Sequence, residues 1–274
     1  MTVLLYIRLR NKEKKGRYFM DFIFSLSTEL HNPFPEAPIE NAVSMLARDM
    51  HKCLTNAEGH KNTITLVKDS QMAEESYQVT VADESRMTVT AGDDLGFVYG
   101  LLSISERYLG IKPFWFWLDQ QIPVLGSVAI PMGTYTAPVP AVRFRGWFLN
   151  DEVLLIHWNN GEAKDFPWRM AFEALLRCGG NMVIPGTDKN SRINANLASE
   201  YGLWLTHHHA EPLGAEIFVR AYPDLMPSYS KNPECFHKLW EEAVLRQKDQ
   251  KVIWALGFRG QGDCPFWESQ GEES

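Results

Sequence analysis

The amino-acid sequence predicts an α/β protein in which a small N-terminal α+β domain precedes a series of βα units with parallel strands. Short half-buried strands and two helices dominate the first half, whereas apolar strands alternate with helices in the second. Between the halves lies a proline-rich passage, residues 131–140, which is typical of an extended connection. The sequence therefore predicts two domains, residues 1–140 and residues 141–274.

The elements of the first domain follow from its hydrophobic periodicity. Apolar side chains recur at helical spacing in residues 39–54, and residues 96–108 predict a second helix that ends at Gly110. Residues 1–30 lack a clean period. Three segments alternate apolar and polar side chains, as half-buried strands do: residues 64–67, 77–82 and 87–91.

Four apolar strands and three helices are predicted in the second domain. The strands are residues 142–149, 181–184, 203–206 and 252–258. The helices between them are residues 168–177, 193–201 and 236–248. Apolar strands separated by helices indicate a parallel sheet that is covered on both faces. This alternation fits an open sheet and part of a barrel equally well.

Composition and charge argue against several classes of function. With 274 residues and 45% hydrophobic side chains, the chain can bury real cores. A formal net charge of -7, with scattered Lys and Arg, argues against a nucleic-acid partner. Apolar runs fall short of the about 20 residues of a membrane helix and no signal peptide is recognisable, so we expect a cytoplasmic protein without a membrane partner. No glycine-rich nucleotide-binding pattern follows the first strand of the second domain, and we expect no cofactor.

Polar clusters follow three of the predicted parallel strands at their carboxyl ends, where α/β proteins place their sites. They comprise residues 150–152, 207–211 and 259–263. Cleavage of a glycosidic bond needs one carboxylic acid and a second carboxylate. Each acidic residue alone is explained by a cap, a loop charge or a turn, but their convergence favours catalysis. The candidate catalytic groups are Asp151, Glu152, Glu211 and Asp263.

Other side chains near these strand ends suit the binding of a sugar. Arg259 follows a very apolar strand, and it pairs either with a neighbouring carboxylate or with the carboxylate of an acidic sugar. Trp147, Trp158 and Trp267 lie near strand ends in the sequence and are expected to stack on sugar rings. The candidate substrate-binding residues are Asn150, His207, His208, His209, Arg259 and Trp267.

The histidine run also raises a metal-dependent hydrolase as a weaker alternative, with His207, His209 and Glu211 as ligands. Neighbouring residues of a strand face opposite sides, so at most two of the three histidines point the same way. The H-E-x-x-H spacing, which places two ligands on one helical face, is absent from the run. We therefore expect no metal, one or two histidines that donate hydrogen bonds to a ligand, and another that is buried.

Three phrases of the second domain, taken together, resemble a known family: FRGWFLNDE, THHHAEP and GFRGQGDCPFW. They resemble glycoside hydrolase family 115, the α-glucuronidases that remove glucuronic acid or its 4-O-methyl ether from xylan and related polysaccharides. Upstream, residues 96–119 resemble the end of that family's N-terminal α+β domain. The resemblance implies an inverting hydrolase with an incomplete (β/α)8 (TIM) barrel, about its first four strands. It also implies an acidic oligosaccharide or polysaccharide as the partner.

Individual residues of each motif match the family's pattern. The N-D-E of the family is matched by Asn150, Asp151 and Glu152. Its H-H-E-P is matched by His208, His209 and Glu211, with Ala210 inserted. Its R-G-x-G-D is matched by Arg259, Gly260, Gly262 and Asp263, with Gln261 where an acidic residue is common. Asp263 is therefore the first choice for a catalytic carboxylate.

Family members are several times longer than the part of this chain beyond the linker. Four parallel strands cannot close a barrel, and the outer edges of the first and fourth strands would present unpaired backbone groups. We expect an incomplete enzyme with little or no activity alone, which self-associates through its open barrel edges. The alternative is a non-catalytic remnant that binds acidic carbohydrates.

Overall fold

The computed structural model describes residues 21–57, 61–151, 155, 158 and 161–257. These residues form a mixed α/β architecture with a five-stranded sheet, a two-stranded sheet and a three-stranded sheet. The first two sheets lie within residues 22–136, and the third lies within residues 146–205. The α/β class that the sequence predicts is therefore confirmed.

The first half contributes seven described strands and two helices. The strands are β1 (Phe22–Phe24), β2 (Glu29–His31), β3 (Thr63–Lys68), β4 (Tyr77–Asp83), β5 (Arg86–Ala91), β6 (Val128–Ile130) and β7 (Gly133–Thr136). The helices are α1 (Ala37–Cys53) and α2 (Asp94–Ile104). A π-helical turn, Ser105–Leu109, extends α2 and ends at Gly110, whose φ of 76° is a left-handed conformation that glycine adopts without strain.

Both helices of the first half form where the sequence predicts them. α1 has a proline in its first turn and buries an apolar stripe that includes Ile39, Ala42 and Leu46. α2 is capped by Asp93, whose side chain accepts a hydrogen bond from the Gly96 backbone N–H at 3.0 Å. Among the described residues, no helix is both long enough and apolar enough to cross a membrane.

The five-stranded sheet has the order β2-β3-β5-β4-β7. Strands β2, β3 and β5 are parallel, whereas β4 is antiparallel to β5 and β7. Three of these strands confirm the predicted segments, but the prediction that residues 131–140 are only a connection was wrong. β7 lies inside that passage because Pro131 and Pro138 flank it, so its own amides remain free to pair with β4.

The second half contributes three described strands and four helices. They are β8 (Gly146–Phe148), α3 (Phe166–Arg177), β9 (Met182–Ile184), α4 (Asp188–Glu200), β10 (Trp204–Leu205), α5 (Phe218–Ala221) and α6 (Pro233–Gln247). β8 pairs with β9 and β9 pairs with β10, both in parallel. A parallel bridge between Leu205 and Val252 places the next segment beside β10. Four neighbouring segments therefore run parallel in the order of the sequence.

Two predicted boundaries of the second half were wrong. The strand expected at residues 142–149 is confined to β8, because the Arg145 side chain engages the carbonyl groups of Val142 and Arg143. α4 begins at Asp188 instead of residue 193, since its polar first turn shows no apolar period. Of the strand expected at residues 252–258, the described part forms the bridge at Val252.

A buried cluster of charged side chains joins the two halves of the chain. The side chains of Asp49 from α1 and of Glu173 and Arg177 from α3 are at most 3% exposed. Arg177 donates to Asp49 Oδ2 at 2.5 Å and to Glu173 Oε1 at 2.8 Å. Arg48 donates to both carboxylates, at 2.8 Å and 2.7 Å. The remaining donors, at 2.6 Å and 2.9 Å, are Ser105 and Trp115.

Apolar residues of both halves surround this cluster in one continuous core, which includes Phe97 from α2 and Phe172 from α3. Burial alone would raise the pKa of Glu173. The hydrogen bond from Arg48 and the charges of Arg177 and Arg48 outweigh burial and hold that pKa below its ordinary value. Glu173 therefore remains charged inside the core because of its partners.

Arg177→Met is expected to lower the free energy of unfolding by about 3 to 5 kcal/mol, because it leaves Asp49 and Glu173 buried without their shared partner. Urea unfolding followed by circular dichroism measures this loss. The matched control is Arg169→Met on the same helix. Arg169 pairs with Asp165 at 2.7 Å, but the two side chains are 41% and 42% exposed, so the loss stays below about 1 kcal/mol. Equal losses in both variants would contradict a stabilising role for the cluster.

Candidate active site

Polar residues follow β8, β9 and β10 at one edge of the parallel sheet. Asn150 and Asp151 follow β8, Thr187 and Asp188 follow β9, and residues 207–211 follow β10. Because neighbouring strands run parallel, their carboxyl ends lie at the same edge. The structure thus brings together two of the three polar clusters found in the sequence.

Asp151 connects the end of β8 to the start of α4. Its side chain is buried, and Oδ1 accepts hydrogen bonds from the Thr187 backbone N–H at 2.8 Å and from the Thr187 hydroxyl at 3.1 Å. Oδ2 accepts a hydrogen bond from the side-chain amide of Asn190. Gly186 precedes these donors with φ of 102°, and a Cβ there would lie 2.8 Å from the Trp168 ring and 3.1 Å from Asp151 Oδ1. Glycine at that position leaves room for the carboxylate.

Glu211 reaches the same helix start from the end of β10. Its side chain is buried, and Oε1 accepts a hydrogen bond from the Asp188 backbone N–H at 2.5 Å. Burial raises the pKa of Glu211 to about 7, and the negative charge of Asp188 acts in the same direction. The Asp188 N–H and the charges of Arg192 and Arg220 oppose this rise. Glu211 is therefore a carboxyl group that can give up a proton near neutral pH.

Asp151 and Glu211 bind consecutive backbone N–H groups at the start of α4, those of Thr187 and Asp188. Free N–H groups and the helix dipole make such a position favourable for negative charge. This arrangement gives both residues a structural task as helix caps. It also fixes two carboxyl groups from different strands within one small region, as a two-carboxyl reaction requires.

The three histidines line an open cavity of about 520 Å³ next to this helix start. The other lining residues are Phe148, Ile184, Ala255 and Gly257, which come from the ends of the parallel strands. The ring of His208 lies 5.3 Å from that of Phe148 and 3.9 Å from that of His209. The cavity combines an apolar floor with imidazole groups, a composition that suits a polar ring-shaped ligand.

His207 is held by a contact with α6. Its ring is buried, and Nε2 lies 2.9 Å from the Oε1 atom of Gln247 on α6. Burial lowers the pKa of His207, so the ring is neutral at neutral pH. Gly214 lies against this pair with φ of 70°, and a Cβ there would lie 2.6 Å from the His207 ring. A larger residue at position 214 would displace the histidine.

The remaining predicted site residues differ in their placement. Asn150 is half-buried, and its Oδ1 atom has no hydrogen-bond partner among the described residues. Glu152, Arg259, Asp263 and Trp267 lie outside the described residues, so their predicted roles stay predictions.

The predicted sugar stacking by Trp147 and Trp158 stays a prediction, and both rings contact aromatic neighbours. Trp147 stacks on Phe114 at 5.7 Å, and Trp158 stacks on Phe166 at 6.4 Å. Among the described residues that line the histidine cavity, neither tryptophan occurs. Side chains of a strand alternate between its faces, so Phe148 reaches the cavity and Trp147 the opposite side.

The described residues contain no group of three or more His, Cys, Asp or Glu side chains arranged to hold a metal ion. Nε2 of His207 is directed to Gln247. The weaker alternative of a metal-dependent hydrolase therefore finds no ligand set in the described part of the chain.

Three polar residues of this region were missed in the sequence, namely Thr187, Asp188 and Asn190. They follow the predicted strand at residues 181–184, which is the same position that identified the other clusters. The signal was present, but the expected helix start at residue 193 assigned them to a connecting loop. Their hydrogen bonds to Asp151 and Glu211 make them part of the site.

Comparison with known proteins identifies the family. The family model for glycosyl hydrolase family 115 matches residues 138–274. This chain belongs to glycosyl hydrolase family 115. Among solved structures, the family 115 chain is similar to BtGH115A, a 4-O-methyl-α-glucuronidase with specificity for decorated arabinogalactans, with a TM-score of 0.73 and 21% identity. The match covers 93% of this chain and 38% of BtGH115A.

Two further solved structures share the fold of the family 115 chain. The chitobiase of Flavobacterium johnsoniae has a TM-score of 0.57 at 16% identity, over 91% of this chain and 44% of its own. The β-N-acetylhexosaminidase of Bacteroides fragilis has a TM-score of 0.53 at 15% identity, over 92% of this chain and 57% of its own. No curated protein sequence matches the chain. At these identities the structural likeness concerns the fold alone.

Glu211→Gln is expected to change how the stability of the chain depends on pH. Burial raises the pKa of Glu211 from 4.5 to about 7, so its contribution to stability is present below pH 4.5 and is lost as the pH rises to about 7. The loss is on the order of 3 kcal/mol, and the glutamine variant avoids it. The variant should therefore gain stability relative to the parent over this range, which urea unfolding at several pH values measures. Glu241→Gln, which removes an exposed carboxyl group of α6, is the control. If the difference in the free energy of unfolding between Glu211→Gln and the parent stays the same from pH 4.5 to about 7, the raised pKa of Glu211 is contradicted.

Proposed function

We propose that this family 115 chain is part of an α-glucuronidase-like glycoside hydrolase that removes α-linked glucuronic acid or its 4-O-methyl ether from xylan or a related glycan. The observation that carries the proposal is the meeting of Asp151 and Glu211 at consecutive N–H groups beside the histidine-lined cavity. Family membership supports the reaction type, and BtGH115A is itself a 4-O-methyl-α-glucuronidase.

The βα units are proposed to form the first part of a (β/α)8 barrel. The order of the strands supports this architecture, because β8, β9, β10 and the segment at Val252 are neighbours in chain order. A doubly wound open sheet reverses its strand order at a switch point instead. Barrel enzymes carry their active sites at the carboxyl ends of the strands, which is where the histidine cavity lies.

Glu211 is proposed as the general acid that protonates the leaving oxygen. A pKa of about 7 keeps part of this carboxyl group protonated near neutral pH, as that role requires. In an inverting reaction a second carboxylate activates water on the other face of the sugar. Asp263 stays the first candidate for that role, with Glu152 as the other. Asp151 already accepts three hydrogen bonds, so we assign it the task of holding the strand end beside Glu211.

His208 and His209 are proposed to bind the acidic sugar. Their rings line the cavity, and an imidazole N–H group donates hydrogen bonds to carboxylate and hydroxyl oxygens. A volume of about 520 Å³ lies within the range of ligand sites, roughly 300–1,000 Å³. Arg259 stays the proposed bidentate partner of the glucuronate carboxylate.

The second candidate function is binding of acidic carbohydrate without cleavage. Two observations favour it. The chain spans 38% of the length of BtGH115A, and the side chains of Asp151 and Glu211 are buried instead of lining the cavity. A sugar can bind in this solvent-exposed cavity while the buried carboxyl groups of Asp151 and Glu211 remain out of reach of its glycosidic bond.

Calorimetric titration of the purified chain with glucuronic acid is expected to give saturable binding. His208→Ala is expected to weaken binding about 10- to 100-fold, because a hydrogen bond to a charged group contributes about 1.5 to 3 kcal/mol. The matched control is Trp240→Ala, which removes an α6 ring that stacks on Tyr229 and does not line the cavity. No binding at millimolar ligand, or equal weakening in both variants, would refute a sugar site at the histidines.

Release of glucuronic acid from glucuronoxylan separates the two candidate functions. For a hydrolase, Glu211→Gln should lower the rate of release by about 10²-fold or more without weakening the binding of glucuronic acid, because it removes the proton donor. Saturable binding by the parent chain without any release would instead support the binding function.

A further inference from the structure

Asp188 adopts an unusual backbone conformation at the first residue of α4. Its φ is 48°, in the left-handed region that residues with a side chain rarely occupy. Aspartate tolerates this region better than most residues, but the conformation persists only where surrounding contacts impose it. Such outliers concentrate at functional sites. The contacts of Asp188 therefore indicate what this conformation is for.

The carboxylate of Asp188 is held inside the protein. The residue is 7% exposed, and Oδ2 pairs with Arg220 of α5. Its Oδ1 atom is buried and has no hydrogen-bond partner among the described residues. A buried carboxylate oxygen without a donor is costly, and the capping of α4 does not require it, since Asp151 and Glu211 already bind the first N–H groups of that helix.

Asp188 acts on Glu211 in two ways. Its backbone N–H donates to Glu211 Oε1, which fixes the position of that carboxyl group. Its own carboxylate places a negative charge next to the same group, which disfavours a second negative charge there. The other charges that act on Glu211 are those of Arg192 from α4 and Arg220 from α5. Arg192 is also paired with Glu216 at 2.6 Å.

We propose that Asp188 is a positioning residue for Glu211: its N–H group fixes the Glu211 carboxyl group, and its buried carboxylate, paired with Arg220, sets the charge around that group. The inference rests on the proposed function, in which Glu211 is the general acid. Arg220 completes the arrangement, because its pairing with Asp188 Oδ2 fixes the aspartate side chain. Asp188 was not among the residues singled out in the sequence, and it acts through Glu211 without touching the sugar.

The test is a pH titration of the Glu211 carboxyl group by carbon-13 NMR, with Glu211→Gln to assign its signal. Asp188→Asn keeps the N–H group and a side chain that tolerates the left-handed conformation, but removes the charge. It is expected to shift the Glu211 midpoint to lower pH by about one unit, a tenfold change in proton affinity. Asp165→Asn, which breaks the exposed pair with Arg169, is the matched control and should leave the midpoint unchanged.

A second variant, Arg220→Met, removes the cation that pairs with Asp188. Loss of the positive charge is expected to raise the Glu211 midpoint, because Arg220 favours the ionised form of Glu211. A purely structural role would destabilise both variants without moving the midpoints in opposite directions. An unchanged Glu211 midpoint in Asp188→Asn, or a rise in place of a fall, would overturn the proposal.

The titration needs no substrate, so its outcome is independent of hydrolysis. Shifted midpoints in a chain that binds no glucuronic acid would sink the proposed function and leave the coupling of Asp188 to Glu211 intact. Unmoved midpoints in a chain that does bind glucuronic acid would sink the role of Asp188 alone.

Discussion

The start of α4 is the constraint on which the candidate site depends. Two carboxyl groups from different strands, Asp151 and Glu211, satisfy consecutive N–H groups that the helix itself cannot pair. This contact ties the ends of β8, β9 and β10 to one point. Three features make this contact possible. The parallel register aligns the strand ends, Gly186 leaves room for the Asp151 carboxylate, and the first turn of the helix is polar.

The same contact places two chemically similar groups in different surroundings. Asp151 accepts hydrogen bonds from a backbone N–H, a hydroxyl group and an amide, all of which are uncharged donors. Glu211 receives one N–H group and lies beside the buried charge of Asp188. Different environments at neighbouring carboxyl groups are what a reaction with one proton donor requires. The position of each carboxyl group, Asp151 after β8 and Glu211 after β10, therefore determines which charges and donors surround it.

Much of this arrangement is visible in the sequence, and the failures share a physical cause. Strands such as β4 and helices such as α1 have a clear hydrophobic period, and the carboxyl ends of apolar strands mark Asp151 and Glu211. β7 and Asp188 escape detection because hydrogen bonds to distant residues define them, and apolar periodicity does not. The face on which Trp147 lies depends on strand register, which periodicity leaves open over a three-residue strand.

The charged cluster around Arg177 has a consequence for how the chain unfolds. Asp49 belongs to the first half and Arg177 to the second, and both are enclosed by a core that draws apolar residues from each. Separating the halves would expose that core and would leave the Asp49 carboxylate without the Arg177 guanidinium. We therefore expect no stable intermediate in which one half is folded and the other is unfolded. We expect a single cooperative unfolding transition, in which the edge that carries the candidate site unfolds together with the N-terminal sheet.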